Sequence, residues 1–298
     1  VSIDLSAAAD FMAGHARLLD RRRFEAVLGR ASGPEGVLGA LDGYRNPDGG
    51  YGWGLEPDLR SRTSQPGGAL HAFEALRDAG PAGSDRAVAL CDWLESVTLP
   101  DGGLPFALPV PDPAACAPFW AQADSKTSSL QITGMITAEA LRIAAYDPAV
   151  AAHPWTARAT AYCLAAIEAI EETPHALVLY GAIRFLDAVY DAHPQAPALL
   201  DRLRAFLPRD GLLHVAGGLE DEMMRPLDFA PEPGRPARAL LDPEAVAADL
   251  DRLAAGQRED GGWAPDFTSY SPAAALEWRG HTTVRAVSVL VANGVVRP

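Results

Sequence analysis

A short pattern, Asp-Gly-Gly followed by an aromatic or large apolar residue, returns along this chain at nearly even intervals. It reads Asp48-Gly49-Gly50-Tyr51, then Asp101-Gly102-Gly103-Leu104, then Asp260-Gly261-Gly262-Trp263. A weakened copy, Asp210-Gly211-Leu212-Leu213, precedes the last. The four starts lie 53, 109 and 50 residues apart, so one signature is missing, near His153-Pro154-Trp155. A period of this size marks a repeat architecture, in which no unit buries its apolar face without neighbours. The repeat therefore argues for one domain over residues 1–298, although the length alone also allows two.

Between the glycine loops the sequence reads as helix after helix. Ser84 to Val97 puts Val88, Cys91, Leu94 and Val97 on one stripe, and Pro243 to Ala255 does the same with Val246, Leu250, Leu253 and Ala254. Such helices are half buried. Ala176 to Tyr190 and Val284 to Ala292 are apolar nearly all round, which predicts burial on every side. Ser64-Gln65-Pro66, Thr127-Ser128-Ser129, Thr173-Pro174-His175, Glu220-Asp221-Glu222 and His281-Thr282-Thr283 read as helix openings. Their oxygens accept free backbone N–H groups, and Pro suits a first turn. Little alternation supports a strand. The expected fold is all-α: five to six helical hairpins forming an α/α-toroid, with an inner ring of fully apolar helices inside an outer ring.

The net charge of -14 and pI near 4.9 disfavour nucleic acid or an anionic membrane as partner, since both need basic footprints. No run approaches the roughly 18 apolar residues of a spanning helix. The stretch Val1-Ser2-Ile3-Asp4-Leu5 lacks the design of a secretory signal. Cys91, Cys116 and Cys163 form no C-x-x-C pair, which fits a reducing, cytoplasmic setting.

The glycine loops, the Ser/Thr-rich helix starts and the apolar runs from Asp48 to Asn293 resemble prenyltransferase and squalene-oxidase repeats. That superfamily includes terpenoid cyclases and the β-subunits of protein prenyltransferases. The resemblance implies the toroid and an aromatic-lined central cavity for an isoprenoid-type molecule. This chain departs from it in two ways. No D-x-D-D acid motif occurs, and no Asp, Cys and His set matches the family's zinc site. H-E-x-x-H and paired C-x-x-C spacings are absent too, so neither a metal nor a cofactor is expected.

Candidate site residues follow the loops. Glu56 and Asp58 either point into the cavity mouth as a carboxylate pair or tie to Arg60 or Arg62. Asp221 and Glu222, in an acidic run with Glu220, either raise one another's pKa to make a general acid or cap a solvated helix start. These four are the catalytic candidates. Glu277-Trp278-Arg279-Gly280-His281 reads as an anion or proton site just before the last inner helix, or as an ion pair closing the ring against the first repeat. His71 and Gln131 fall in first turns of inner helices. Trp53 and Trp120 join Trp278 as aromatics able to stabilise a cation. Trp53, His71, Trp120, Gln131, Trp278, Arg279 and His281 are therefore the substrate-binding candidates. The Asp-Gly-Gly aspartates, Phe106 and Trp263 read as structural.

The functional expectation is a hydrophobic small-molecule partner and acid-initiated cyclisation or isomerisation. Two alternatives stand beside it. One is a glycoside-processing enzyme with paired carboxylates in an α/α barrel, which needs a polar groove. The other is a binding or scaffold protein that kept the fold and lost the site.

Overall fold

The computed structural model describes residues 3–298, and the chain is mostly helical. The first helices are α1 (Leu5–His15), α2 (Leu18–Val27), α3 (Glu35–Asp42), α4 (Pro66–Ala79) and α5 (Ser84–Val97). Then come α6 (Pro118–Ala121), α7 (Leu130–Ala144), α8 (Pro148–Ala151), α9 (Pro154–Glu168) and α10 (Ala176–Val189). The last are α11 (Ala196–Leu203), α12 (Pro226–Phe229), α13 (Pro243–Ala255) and α14 (Pro272–Ala292). A two-stranded antiparallel hairpin, β1 (Leu213–His214) and β2 (Met223–Met224), is the sheet among the described residues.

Two kinds of helix are present. α4, α7 and α10 are buried along most of their length. α11 and α13 bury one stripe each. The buried helices pack in series, α4 on α7 and α7 on α10, while α14 packs on α2 and α2 on α4. Gly134 and Gly181 let α7 and α10 cross closely; a Cβ on Gly181 would stand 2.8 Å from the Gln131 carbonyl oxygen. The apolar core falls in two clusters, one around Phe185 and Val287 and one around Phe73 and Trp155, with α7 contributing to both.

The repeated loops share one construction. In each, the second residue after the aspartate turns its N–H back to the carboxylate: Gly50 to Asp48 (2.9 Å), Gly103 to Asp101 (3.1 Å), Gly262 to Asp260 (3.2 Å) and Leu212 to Asp210 (3.1 Å). Gly49, Gly102 and Gly261 take φ of 90°, 92° and 89°, a region that disfavours a side chain. Each also lies against a helix backbone. A Cβ would stand 2.8 Å from Ala89 O of α5, 3.0 Å from Arg158 O of α9 and 2.1 Å from Ala7 O of α1, respectively. The last loop thus seats on the first helix as the earlier loops seat on α5 and α9. Asp4 N–H reinforces this seam by donating to the Gln257 side chain at 2.8 Å. As expected, these aspartates are turn residues and Trp263 is packed.

Helix openings at Pro66, Leu130 and Ala176 stand where the sequence puts them, with Ser129 and His175 capping α7 and α10. Two openings differ. Glu220-Asp221-Glu222 opens no helix but forms the tip of the β1–β2 hairpin. The last helix starts at Pro272, capped by Ser271, so Glu277 to His281 lie inside α14 rather than before it. Pro at the first turn, with the Ser271 cap, makes a stronger start than His281-Thr282-Thr283.

Candidate functional site

His71 is the centre of a buried cluster built from three separated segments. It sits on α4 and is 6% exposed. Its Nε2 donates to Glu56 Oε2 at 2.9 Å and its Nδ1 to Glu74 Oε2 at 3.1 Å. Glu74 is one turn further along α4. Ionised carboxylates only accept, so a ring between two of them carries both protons. Burial disfavours that charge, but Glu74 and the Glu56 hydrogen bond outweigh it and push His71 up to about 9. Burial likewise works against the Glu74 carboxylate, and the charged, hydrogen-bonded His71, with Arg23, overcomes it, holding Glu74 well below the usual carboxylate range.

α14 supplies the other half. His281 Nδ1 lies 3.8 Å from Glu74 Oε2, and this buried nitrogen has no hydrogen-bond partner among the described residues. Burial and the charged His71 nearby push His281 down to about 3. Two adjacent imidazoles, centroids 5.0 Å apart, are therefore held in opposite protonation states. Trp278, one turn before His281, packs edge-on against both rings at 5.6 and 5.4 Å. Its Nε1 donates to Asp58 Oδ2 at 2.8 Å, and the Tyr270 N–H donates to Asp58 Oδ1 at 3.0 Å. Burial raises the Asp58 pKa despite these donors.

Glu74 and His281 also line a cavity of about 100 Å³. Its walls come from α2, α4, α7, α10 and α14 and are dominated by charge. Arg23 pairs with Asp78 at 2.7 Å, Arg77 with Glu139, and Arg285 with Asp228. Glu139 is buried, which disfavours its charge, yet Arg77, Arg142 and Arg184 hold its carboxyl below the usual range. Arg184 is the exception among the cations. It is 8% exposed and donates no hydrogen bond among the described residues; its nearest carboxylate, Glu139 Oε1, is 3.6 Å away. Burial and neighbouring Arg142 lower its pKa. Tyr180, one turn earlier on α10, lines the same cavity, and burial raises the pKa of its hydroxyl.

The sequence candidates thus divide. Glu56, Asp58, His71, Trp278 and His281 come together. The expected ties of Glu56 and Asp58 to Arg60 or Arg62 do not form; Arg60 pairs instead with Glu277 at 2.6 Å, an ion pair between the first repeat and the last helix. Trp120 stands at the edge of the cluster: a Cβ on Gly67 would meet both Trp120 Cη2 (3.2 Å) and Glu56 Cγ (3.3 Å). It stacks on Phe106 at 4.2 Å, beneath the exposed pair Phe119 and Tyr270.

The other candidates lie elsewhere. Asp221 and Glu222 are at the hairpin tip, where Asp221 is exposed and Glu222 Oε2 accepts from the Leu219 N–H at 3.1 Å. Trp53 is half exposed at φ 58°, donating to Asn46 Oδ1 at 2.8 Å. Arg279 holds Asp260 of the last loop at 2.7 and 2.8 Å and lies over Phe11. Gln131 is at the α7–α10 crossing. Sequence reasoning missed Glu74, Glu139, Tyr180 and Arg184. One signal was available: a charge inside a helix that is apolar nearly all round, as Arg184 is, with Asp187, in α10.

No protein-family model and no curated protein matches the chain. Among solved structures, the crystal structure of a protein from Actinoplanes is similar at a TM-score of 0.54 and 15% identity, over 93% of this chain and 90% of that one. At that identity the likeness concerns the fold alone.

Proposed function

We propose that this chain is an α/α-toroid, akin to the prenyltransferase and squalene-oxidase repeat proteins, whose central cavity takes a small anionic ligand. Support for the toroid comes from the serial packing of α2, α4, α7 and α10 and from the seating of the last glycine loop on α1.

The ligand reading rests on Arg184. Its guanidinium lines the cavity with no hydrogen bond to the described residues, and the nearest carboxylate is 3.6 Å away. Its planar fork suits a carboxylate or phosphate, and Tyr180 on the same helix face adds a donor. At about 100 Å³ the cavity suits a ligand of a few heavy atoms, such as phosphate or a short dicarboxylate. A long isoprenoid chain needs an apolar space, and this lining is charged. The glycoside reading needs two free carboxylates facing each other, whereas Glu56 is engaged by His71 and Asp58 by Trp278.

The test is calorimetry and thermal shift with phosphate, diphosphate, small dicarboxylates, sugar phosphates, neutral sugars and prenyl diphosphates. An anionic member should bind the wild type and lose at least tenfold in affinity with Arg184→Met. Binding of a neutral sugar, or equal binding by the variant, would refute the reading. No binding across the panel would favour the scaffold alternative.

A further inference from the structure

We infer that His71, Glu74 and His281 form a binding site for a divalent transition-metal ion, with Zn²⁺ as the test ion. The inference does not depend on the anionic ligand.

Three observations carry it. First, the donor atoms are already gathered: one from each residue, all within 4.8 Å of one another. A tetrahedral metal with bonds of roughly 2.0–2.1 Å sets its ligand atoms about 3.3 Å apart. The distances here, 3.1 Å from His71 Nδ1 to Glu74 Oε2 and 3.8 Å from His281 Nδ1 to the same oxygen, straddle that value. Small side-chain adjustments bring all three to one ion. His71 and Glu74 are three residues apart on α4 and so share a face, which makes two of the ligands rigid.

Second, His281 Nδ1 is buried with no partner among the described residues. Such a nitrogen costs free energy as it stands, and a neutral imidazole with a free lone pair is what a metal requires. It lies 3.8 Å from the Glu74 oxygen that His71 Nδ1 also approaches.

Third, the surroundings resemble the outer shell of a metal site. His71 Nε2–H is bound by the Glu56 carboxylate at 2.9 Å, which fixes the ring and makes Nδ1 the coordinating atom. A carboxylate behind a ligating histidine orients it and raises its basicity. Trp278, flanked by Phe267, packs edge-on against both imidazoles. Glu74 and His281 face the cavity, so a fourth coordination position would open into it. Two imidazoles and one carboxylate suit zinc and its first-row neighbours rather than magnesium or calcium.

The experiment uses the full chain stripped with chelator, reloaded with Zn²⁺ or Co²⁺ and desalted. Expected are one equivalent of zinc by mass spectrometry and the visible absorption of low-coordinate Co²⁺. His281→Gln and Glu74→Gln should each lose the equivalent, with folding checked by circular dichroism. Glu56→Gln removes only the outer carboxylate and should bind ten- to a hundredfold more weakly. His153→Gln, at the start of α9 and paired with Asp92 outside the cluster, should bind as wild type. If His281→Gln does not fold, the Glu56→Gln affinity decides. Failure of the wild type to retain metal overturns the inference. So does full retention by folded His281→Gln, or an unchanged affinity in Glu56→Gln.

Discussion

Glu56 Oε2 accepts a hydrogen bond from His71 Nε2 at 2.9 Å, joining the loop after the first glycine turn to the middle of α4. This contact and the Glu74 contact keep His71 charged in the metal-free protein, while His281 beside it stays neutral. The two histidines give stability opposite pH dependences. His71, raised to about 9, contributes fully below an unfolded value near 6.5 and loses that contribution as pH rises through 9. His281, lowered to about 3, contributes above 6.5 and loses it as pH falls toward 3.

Metal-free protein should therefore be most stable near pH 6.5. In chemical denaturation His71→Gln should flatten the alkaline limb, worth on the order of 3 kcal/mol. His281→Gln should flatten part of the acid limb. An alkaline limb unchanged by His71→Gln would show that the charge resides elsewhere.

Asp58 holds two donors from distant chain, Trp278 Nε1 and the Tyr270 backbone. Asp58→Ala leaves both without an acceptor and should destabilise by about 2 kcal/mol. Asp58→Asn keeps one acceptor oxygen and should recover about half of that loss. Urea melts followed by tryptophan fluorescence would report both the stability and the Trp278 environment.

Arg184 should show a trade between stability and binding. Arg184→Met removes a poorly paired buried cation while keeping side-chain volume. Glu139 keeps Arg77 and Arg142 as partners, so the variant leaves no bare buried charge and removes the desolvation cost of the guanidinium. A raised melting temperature together with lost anion binding is expected. A strongly destabilised variant would mean that the Glu139 contact is worth more than its 3.6 Å separation suggests.

The glycine loops give a paired test. Gly261→Ala places a Cβ 2.1 Å from Ala7 O at a positive φ and should cost about 3 kcal/mol or more. Gly217 also has a positive φ, 82°, but has open space around it. Gly217→Ala should cost only about 1 kcal/mol. Equal losses in denaturation would mean that backbone conformation, not the seat on α1, sets the requirement.

Periodicity carried the fold further than it carried the site. The stripes at Ser84–Val97 and Pro243–Ala255 gave α5 and α13 to the residue, because apolar spacing and proline starts are local signals. The acidic run at 220–222 misled, since helix starts and hairpin turns both favour acids and glycine. Glu56, Asp58, His71, Trp278 and His281 were legible as polar or aromatic residues near the loops. Their meeting was not, because His71 and His281 are brought together only by tertiary packing. Glu74 looks unremarkable in sequence, and Arg184 stands out only as one of two charges, with Asp187, in the apolar run of α10.

The seam between α1 and the last glycine loop has a kinetic consequence. Asp4 and Gln257, hydrogen-bonded across it, are 253 residues apart in the chain. The helices and the loops on α5 and α9 join segments far closer in sequence, so they can form early. The seam must wait until most of the chain is ordered. Contacts of such long range slow the final step of folding and are absent from the early nucleus. Interactions made after the barrier chiefly slow unfolding. Those at Asp4, Ala7, Gln257 and Gly261 would then set how long the native state lasts more than how fast it is reached.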